Sequence, residues 1–349
     1  MKLKCVYNFI EHPFSFALLM LVTEPPLIWW FIGIHKEHPR TMSNQHSNIE
    51  LWSAQSATAM TTVMVSPPTN PILRLRLSVD YPGRPGVLRE VTLNIDEGEI
   101  VGLIGESGSG KSTLALATLR LLEHKGGTSR GEVIFRGHHL EGLTRREMQQ
   151  IRGYEIALIS QSAMASLNPA LRVGTQLSEA WRAHRSTCGN EWQRSVLDIF
   201  EQVSLPADEA FLRLYPHQLS VGQAQRVLIA MAVMHQPRLL IADEPTSALD
   251  AITRAEVIDL LKQLNRQMKM AVLFISHELL TIASLCKRIA ILEKGEVVES
   301  GSTEQIFCSP EHPYTRALVG ALPLELQFSQ RGHSWPTCGL WPSGRSIRG

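Results

Sequence analysis

The stretch Gly105-Glu106-Ser107-Gly108-Ser109-Gly110-Lys111-Ser112-Thr113 constrains this chain more than any other. It fits G-x-x-x-x-G-K-[ST]. An apolar segment, Ile100-Val101-Gly102-Leu103-Ile104, precedes it, and residues 114–122, rich in good helix formers, follow it. Strand, glycine loop, helix is the context in which such a loop cradles phosphate. Glycines let backbone N–H groups converge on phosphate oxygens with no Cβ in the way. The helix N-terminus adds partial positive charge and free donors. In that arrangement Lys111 reaches the β- and γ-phosphates, and the Ser112 hydroxyl holds Mg²⁺. A flexible Gly/Ser linker with a chance lysine would have no use for the flanking apolar runs.

The 349 residues suffice for two or three domains, and 44% hydrophobic with 19% charged residues suits a large globular core. A formal net charge of +1 gives no global field for nucleic acid. The thirteen histidines have no metal-ligand spacing. Cys5, Cys188, Cys286, Cys308 and Cys338 form no C-x-x-C pair, and their odd number and wide spacing suit a reducing compartment.

Residues 1–71 read differently from the rest. A basic start, Met1-Lys2-Leu3-Lys4, leads to apolar residues 14–23, then Glu24-Pro25-Pro26, then apolar residues 27–34. Neither half reaches the ~20 residues of a spanning helix, and the two prolines break a continuous span. Residues 41–71 are linker-like in their Ser, Thr, Asn, Gln and Pro content. We expect an accessory, poorly ordered extension or an over-long reading of the start, with a loose membrane-associated hairpin as the alternative. Residues 324–349, with Gly, Ser, Pro and Arg, read as a disordered tail.

Between these ends the chain alternates strands and helices. Leu73-Arg74-Leu75-Arg76-Leu77-Ser78-Val79 and Val91-Thr92-Leu93-Asn94-Ile95 alternate apolar and polar, as half-buried antiparallel strands do. Tyr81 lies in the turn-rich loop between them. It could stack on a nucleotide base or be an ordinary loop tyrosine. Gly131 to Gly137 reads as a short strand closed by glycines. Residues 163–218 read as mainly helical, with Val196, Ile199, Phe200 and Val203 on one face. Leu219-Ser220-Val221-Gly222-Gln223 opens a further, apolar helix over 224–234. Three more apolar strands end in Gln161, Asp243-Glu244 and His277, and Lys294-Gly295 reads as a hairpin turn.

Gly105, Gln161, Asp243 and His277 each follow an apolar strand, and in open α/β sheets ligands bind beyond the carboxyl ends of the strands. Four polar groups should therefore meet on one edge. There Asp243 can orient Mg²⁺, and Glu244 can polarise a water for attack on a γ-phosphate. Gln161 offers a donor and an acceptor to metal and water together. His277 can bond the γ-phosphate or hold Glu244. As bland alternatives, the acids are loop carboxylates and the histidine is structural.

These motifs resemble those of the ATP-binding cassette (ABC) ATPases. Leu219-Ser220-Val221-Gly222-Gln223 is similar to their signature motif, Gln161 to their Q-loop, Ser247-Ala248-Leu249-Asp250 to their D-loop, and His277 to their switch histidine. Gln161 through Pro169, Tyr215 through Ser220 and Pro310 through Thr315 look closer still to the ATPase subunits of dipeptide, oligopeptide and nickel importers. The resemblance implies an α/β P-loop NTPase cassette over residues 72–323: a RecA-like parallel-sheet core, an antiparallel β subdomain, and an α-helical subdomain near 163–223. It implies ATP and Mg²⁺ as cofactors, with Tyr81 stacking on adenine and residues 105–113 around the phosphates. Ser112, Gln161 and Asp243 would serve the metal, and Lys111, Gln161, Glu244 and His277 catalysis. Ser220, Gly222 and Gln223 would face ATP on a second ABC ATPase subunit. Two membrane permeases would be the partners, at the cytoplasmic face of the inner membrane near residues 164–171. An extracytoplasmic solute-binding protein would act indirectly, with no nucleic acid.

Two departures stand out. Val221 occupies a glycine position of the signature, and Ser162-Ala163 replace the usual Asp-Pro after the glutamine. A DNA-repair cassette would need long coiled coils between phosphate loop and signature, and a translation factor would usually show two phosphate loops; neither is present in the sequence. A small-molecule kinase would need no signature. A non-hydrolysing ATP-binding regulator remains as the other alternative.

Overall fold

The computed structural model describes residues 71–185 and 191–322. The expectations for the N-terminal extension, apart from its last residue, and for the tail fall outside the described residues. In chain order the elements are β1 (Leu73–Tyr81), β2 (Arg84–Ile95), β3 (Ile100–Ile104), α1 (Lys111–Thr118), β4 (Thr128–Phe135), β5 (His138–His139), α2 (Arg145–Ile151), β6 (Ile156–Ile159) and α3 (Ala163–Ser166). Then come α4 (Val173–Arg182), α5 (Glu191–Gln202), α6 (Glu209–Leu212), α7 (Val221–Val233), β7 (Leu239–Asp243), α8 (Ala251–Met268), β8 (Ala271–Ser276), α9 (Leu279–Leu285), β9 (Arg288–Glu293), β10 (Glu296–Ser302), α10 (Thr303–Cys308) and α11 (Pro313–Gly320).

Two sheets result. The smaller, in the order β2-β1-β4-β5, is antiparallel; Leu75 of β1 faces Leu93 of β2 on one side and Val133 of β4 on the other. The larger runs β10-β9-β3-β8-β7-β6 and is parallel except for the β9–β10 hairpin. Its strands β3, β6, β7 and β8 are almost wholly apolar because both faces of the parallel part are covered. On β7, Leu240 and Ala242 join the core shared with the helical region, while Leu239 and Ile241 join the core under the antiparallel sheet and α1. β8 divides likewise, Val272 and Phe274 against Ala271, Leu273 and Ile275. The helical region lies between β6 and β7 in sequence, and its α5 buries Val196, Ile199 and Phe200 as their spacing predicts.

The helix after the glycine loop is shorter than the apolar run suggests. It ends at Thr118, because Arg120 takes φ 52 and the N–H groups of Arg120 and Leu121 turn back to Ala117 and Leu116. This is the reversal that usually uses glycine. Here Arg120 donates to the carbonyls of Leu140 and Leu143, and Arg152 donates to those of Leu119 and Arg120. β4 also starts earlier than expected, at Thr128. α7 begins at Val221 because Ser220 caps it: its Oγ accepts the Gln223 N–H at 3.1 Å, and Gln223 Oε1 accepts the Ser220 N–H at 3.0 Å. Cys308 is disulfide-bonded, a departure from the reduced thiols that the cysteine pattern suggested.

Candidate functional site

The carboxyl ends of β3, β6, β7 and β8 open onto one cleft of about 960 Å³. The glycine loop forms its floor. Gly110 holds φ 109, and a Cβ there would lie 2.5 Å from Leu88 Cδ2. A Cβ on Gly105 would lie 2.2 Å from the Leu292 carbonyl oxygen. Only glycine permits this closeness of loop to sheet.

Lys111 is buried at the start of α1. Its ammonium donates to the carbonyls of Gly105 at 2.8 Å and Glu106 at 2.9 Å. Burial lowers its pKa, opposed by the charges of Glu244 and Asp243. It is thus a cation held within the loop, 3.9 Å from Glu244.

Asp243 ends β7 and is also buried. Burial raises its carboxyl pKa, against a hydrogen bond from Ser112 that lowers it. Its Oδ1 has no hydrogen-bond partner among the described residues. An orphaned buried carboxylate oxygen beside a serine hydroxyl is oxygen chemistry suited to Mg²⁺. No group of three His, Cys, Asp or Glu is arranged for a metal among the described residues. Mg²⁺ needs none, since phosphates and waters fill its remaining positions.

Glu244 is the hub. It sits at φ 48, a region that L side chains seldom occupy, with its N–H bonded to the Ile275 carbonyl at 2.9 Å. Gln161 Nε2 donates to its Oε2 at 3.0 Å. His277 Nδ1 lies 3.1 Å from its Oε1. Gln161 follows β6 and His277 follows β8, so three strand ends deliver one hydrogen-bonded cluster. Such a carboxylate, 13% exposed and aligned by two neighbours, can take a proton from a water at the cleft mouth.

Tyr81, at the end of β1, lines the same cleft together with Gly105, Glu106, Ser107, Gly108, Gly110, Lys111, Ser112 and Thr113. Ser109 is buried behind the loop, and its Oγ also has no partner among the described residues. Arg84 and Lys125 line the cleft as well. Sequence reasoning missed both, since a single basic residue in a turn has no spacing that ties it to the loop. Ser220, Gly222 and Gln223 do not line this cleft. They start α7, with Ser220 exposed and Gly222 against α8, where a Cβ would meet Thr253 Cγ2 at 2.8 Å.

Residues 88–247 match the family model described as ABC transporter. The dipeptide transport ATP-binding protein DppD of Escherichia coli is 40% identical over 264 residues, covering 75% of this chain and 81% of that protein. The glutathione import ATP-binding protein GsiA of Salmonella typhimurium is 43% identical over 255 residues, 71% of this chain; the match spans only 41% of GsiA. A solved dimer of the ATP-binding cassette MJ0796, in a post-hydrolysis state bound to ADP and Pi, superposes with TM-score 0.58 at 31% identity, covering 66% of this chain and 98% of that one. By fold, by motif and by kinship, the chain belongs to the ABC transporter family and carries that family's ATP-binding cassette.

Proposed function

We propose that this chain is the ATP-binding and ATP-hydrolysing subunit of an importer for a peptide, glutathione, nickel or a similar small solute. The observation that carries the catalytic part is the convergence of Gln161, His277 and Lys111 on the Glu244 carboxylate. Tyr81 stacks on the adenine, and the loop of residues 105–113 wraps the phosphates with its free N–H groups, with Lys111 neutralising the β- and γ-oxygens. Ser112 and Asp243, with Gln161 beside them, would hold Mg²⁺, which supplies charge neutralisation on the phosphates. Glu244 accepts the proton of the attacking water in line with the γ-phosphate, and His277 keeps that carboxylate aimed.

The relatives named for peptide and glutathione transport support the importer reading. The working unit then has two cassettes, with Ser220, Gly222 and Gln223 facing ATP on the other one. Two permeases receive the resulting motion on the cytoplasmic face of the membrane, and an extracytoplasmic protein delivers the solute. No helix among the described residues is long and apolar enough to cross a membrane. We take residues 72–323 as the cassette, with its helical part near 163–223, and the flanking segments as additions to it.

The test is uptake in vesicles containing the assembled complex. ATP-driven accumulation of a labelled dipeptide or glutathione, abolished by Glu244→Gln, supports the reading. ATP hydrolysis that no solute stimulates and no permease accompanies overturns the importer half and leaves the ATPase standing.

A further inference from the structure

The phosphate loop is pinned on two sides of a single residue. Lys111 Nζ donates to the carbonyl oxygen of Glu106 at 2.9 Å. The N–H of Glu106 donates to the hydroxyl of Tyr314 at 3.2 Å. Both polar groups of the Glu106 backbone are therefore engaged, one from inside the loop and one from α11, more than two hundred positions away. Leu318, one turn further along α11, lines the nucleotide cleft itself.

α11 is firmly placed. The Glu299 carboxylate on β10 accepts the N–H groups of Glu311 and His312, each at 2.9 Å. His312 Nδ1 accepts the Tyr314 N–H at 3.3 Å and so caps the helix. Its own Thr315 and Val319 are buried. This helix lies beyond residues 88–247, where the family model matches.

We propose that Tyr314 is a positioning residue for the phosphate loop: its hydroxyl fixes the Glu106 peptide and holds the loop ready for the triphosphate. The reason is entropic. A loop carrying Gly105, Gly108 and Gly110 loses much backbone freedom when it closes on a ligand. An anchor that α11 supplies to the loop removes part of that cost and strengthens binding. Because the bond touches neither the attacking water nor the γ-phosphate, it acts equally on ground state and transition state. The proposal rests on ATP binding at this loop and not on the identity of the solute.

The deciding variant is Tyr314→Phe, which keeps the ring and removes only the hydroxyl. Mg·ATP binding is measured on the full chain by titration, and steady-state hydrolysis on the assembled complex. The Kd and the KM for ATP should rise roughly two- to tenfold, the value of one net hydrogen bond. kcat should stay within about twofold, as expected when uniform binding is lost. Glu106→Pro, which deletes the donor, should weaken binding similarly, and adding Tyr314→Phe to it should cost nothing more. An unchanged KM in Tyr314→Phe, a fall in kcat alone, or full additivity of the two changes overturns the proposal. Failure of the unaltered chain to bind Mg·ATP overturns the site itself and this role with it.

Discussion

His277 Nδ1 stands 3.1 Å from Glu244 Oε1, so the residue after β8 aims the residue after β7. Glu244→Gln keeps the shape and removes the proton acceptor. Hydrolysis should fall by about 10²–10⁴-fold while Mg·ATP is still bound. Phosphate release together with retention of labelled nucleotide checks both halves; undiminished turnover would mean another base does the work. His277→Ala leaves the carboxylate but frees it, and the loss of one charge-assisted hydrogen bond should cost about 10- to 100-fold in kcat.

Tyr81 meets the cleft at the end of β1, and Gly127 leaves room for its ring: a Cβ there would lie 2.8 Å from Tyr81 Cε1. Tyr81→Ala should weaken ATP binding by about 1–3 kcal/mol, the usual worth of a base on an aromatic ring. Inorganic triphosphate, which has no base, should bind the variant and the parent alike. Equal losses for both ligands would assign Tyr81 to the fold rather than to the base.

Val221 is 45% exposed at the first turn of α7, where the signature otherwise has glycine. Ile252, 75% exposed, lies at the first turn of α8, to which α7 is joined by the 2.8 Å Arg226–Glu256 pair. A branched side chain at 221 would stand between the N–H groups of the first turn of α7 and a nucleotide on a facing cassette. Our hypothesis is that Val221→Gly raises ATPase activity of the assembled complex. Unchanged turnover would remove it.

Arg288 grips Glu99 with two bonds of 2.8 Å and also donates to the Asn94 carbonyl at 2.6 Å, joining β9 to the approach of β3. Burial is the largest single influence and would raise the Glu99 pKa, but the Arg288 bonds, the Asp96 N–H and the Arg288 charge together outweigh it and the pKa is lowered. A lowered carboxyl contributes stability above its unfolded value of 4.5 and loses it as pH falls through the folded one. Glu99→Gln should therefore cost about 1–2 kcal/mol at pH 7 after allowance for solvent screening. Thermal melts should converge with the parent's as pH falls from 4.5 through the lowered folded value. A difference that persists there would point to packing instead of charge.

The parallel sheet was readable because buried strands such as Leu239-Leu240-Ile241-Ala242 are unbroken apolar runs, each followed by a polar residue. That same rule brought Gln161, Asp243 and His277 to the edge that carries Gly105. The end of α1 was not readable, since arginines do the work that glycine advertises. Nor were Arg84, Lys125 and Tyr314, whose places depend on how distant segments pack. The resemblance implies that Ser220 and Gln223 contact a nucleotide. Within this chain their visible task is to cap α7.

β3 lies between β8 and β9, so the strand that presents the phosphate loop has both its neighbours made much later. During synthesis, the roughly 190 residues between Ile104 and Glu293 take about 10–40 s to emerge. For most of that interval, until β8 is made, β3 has no ladder on either side, and until β9 follows the nascent polymer has no complete place to seat a nucleotide. The newborn motor is therefore fuel-blind until its last parallel strand clears the ribosome, and any pause before that point leaves bare apolar strands for chaperones to guard.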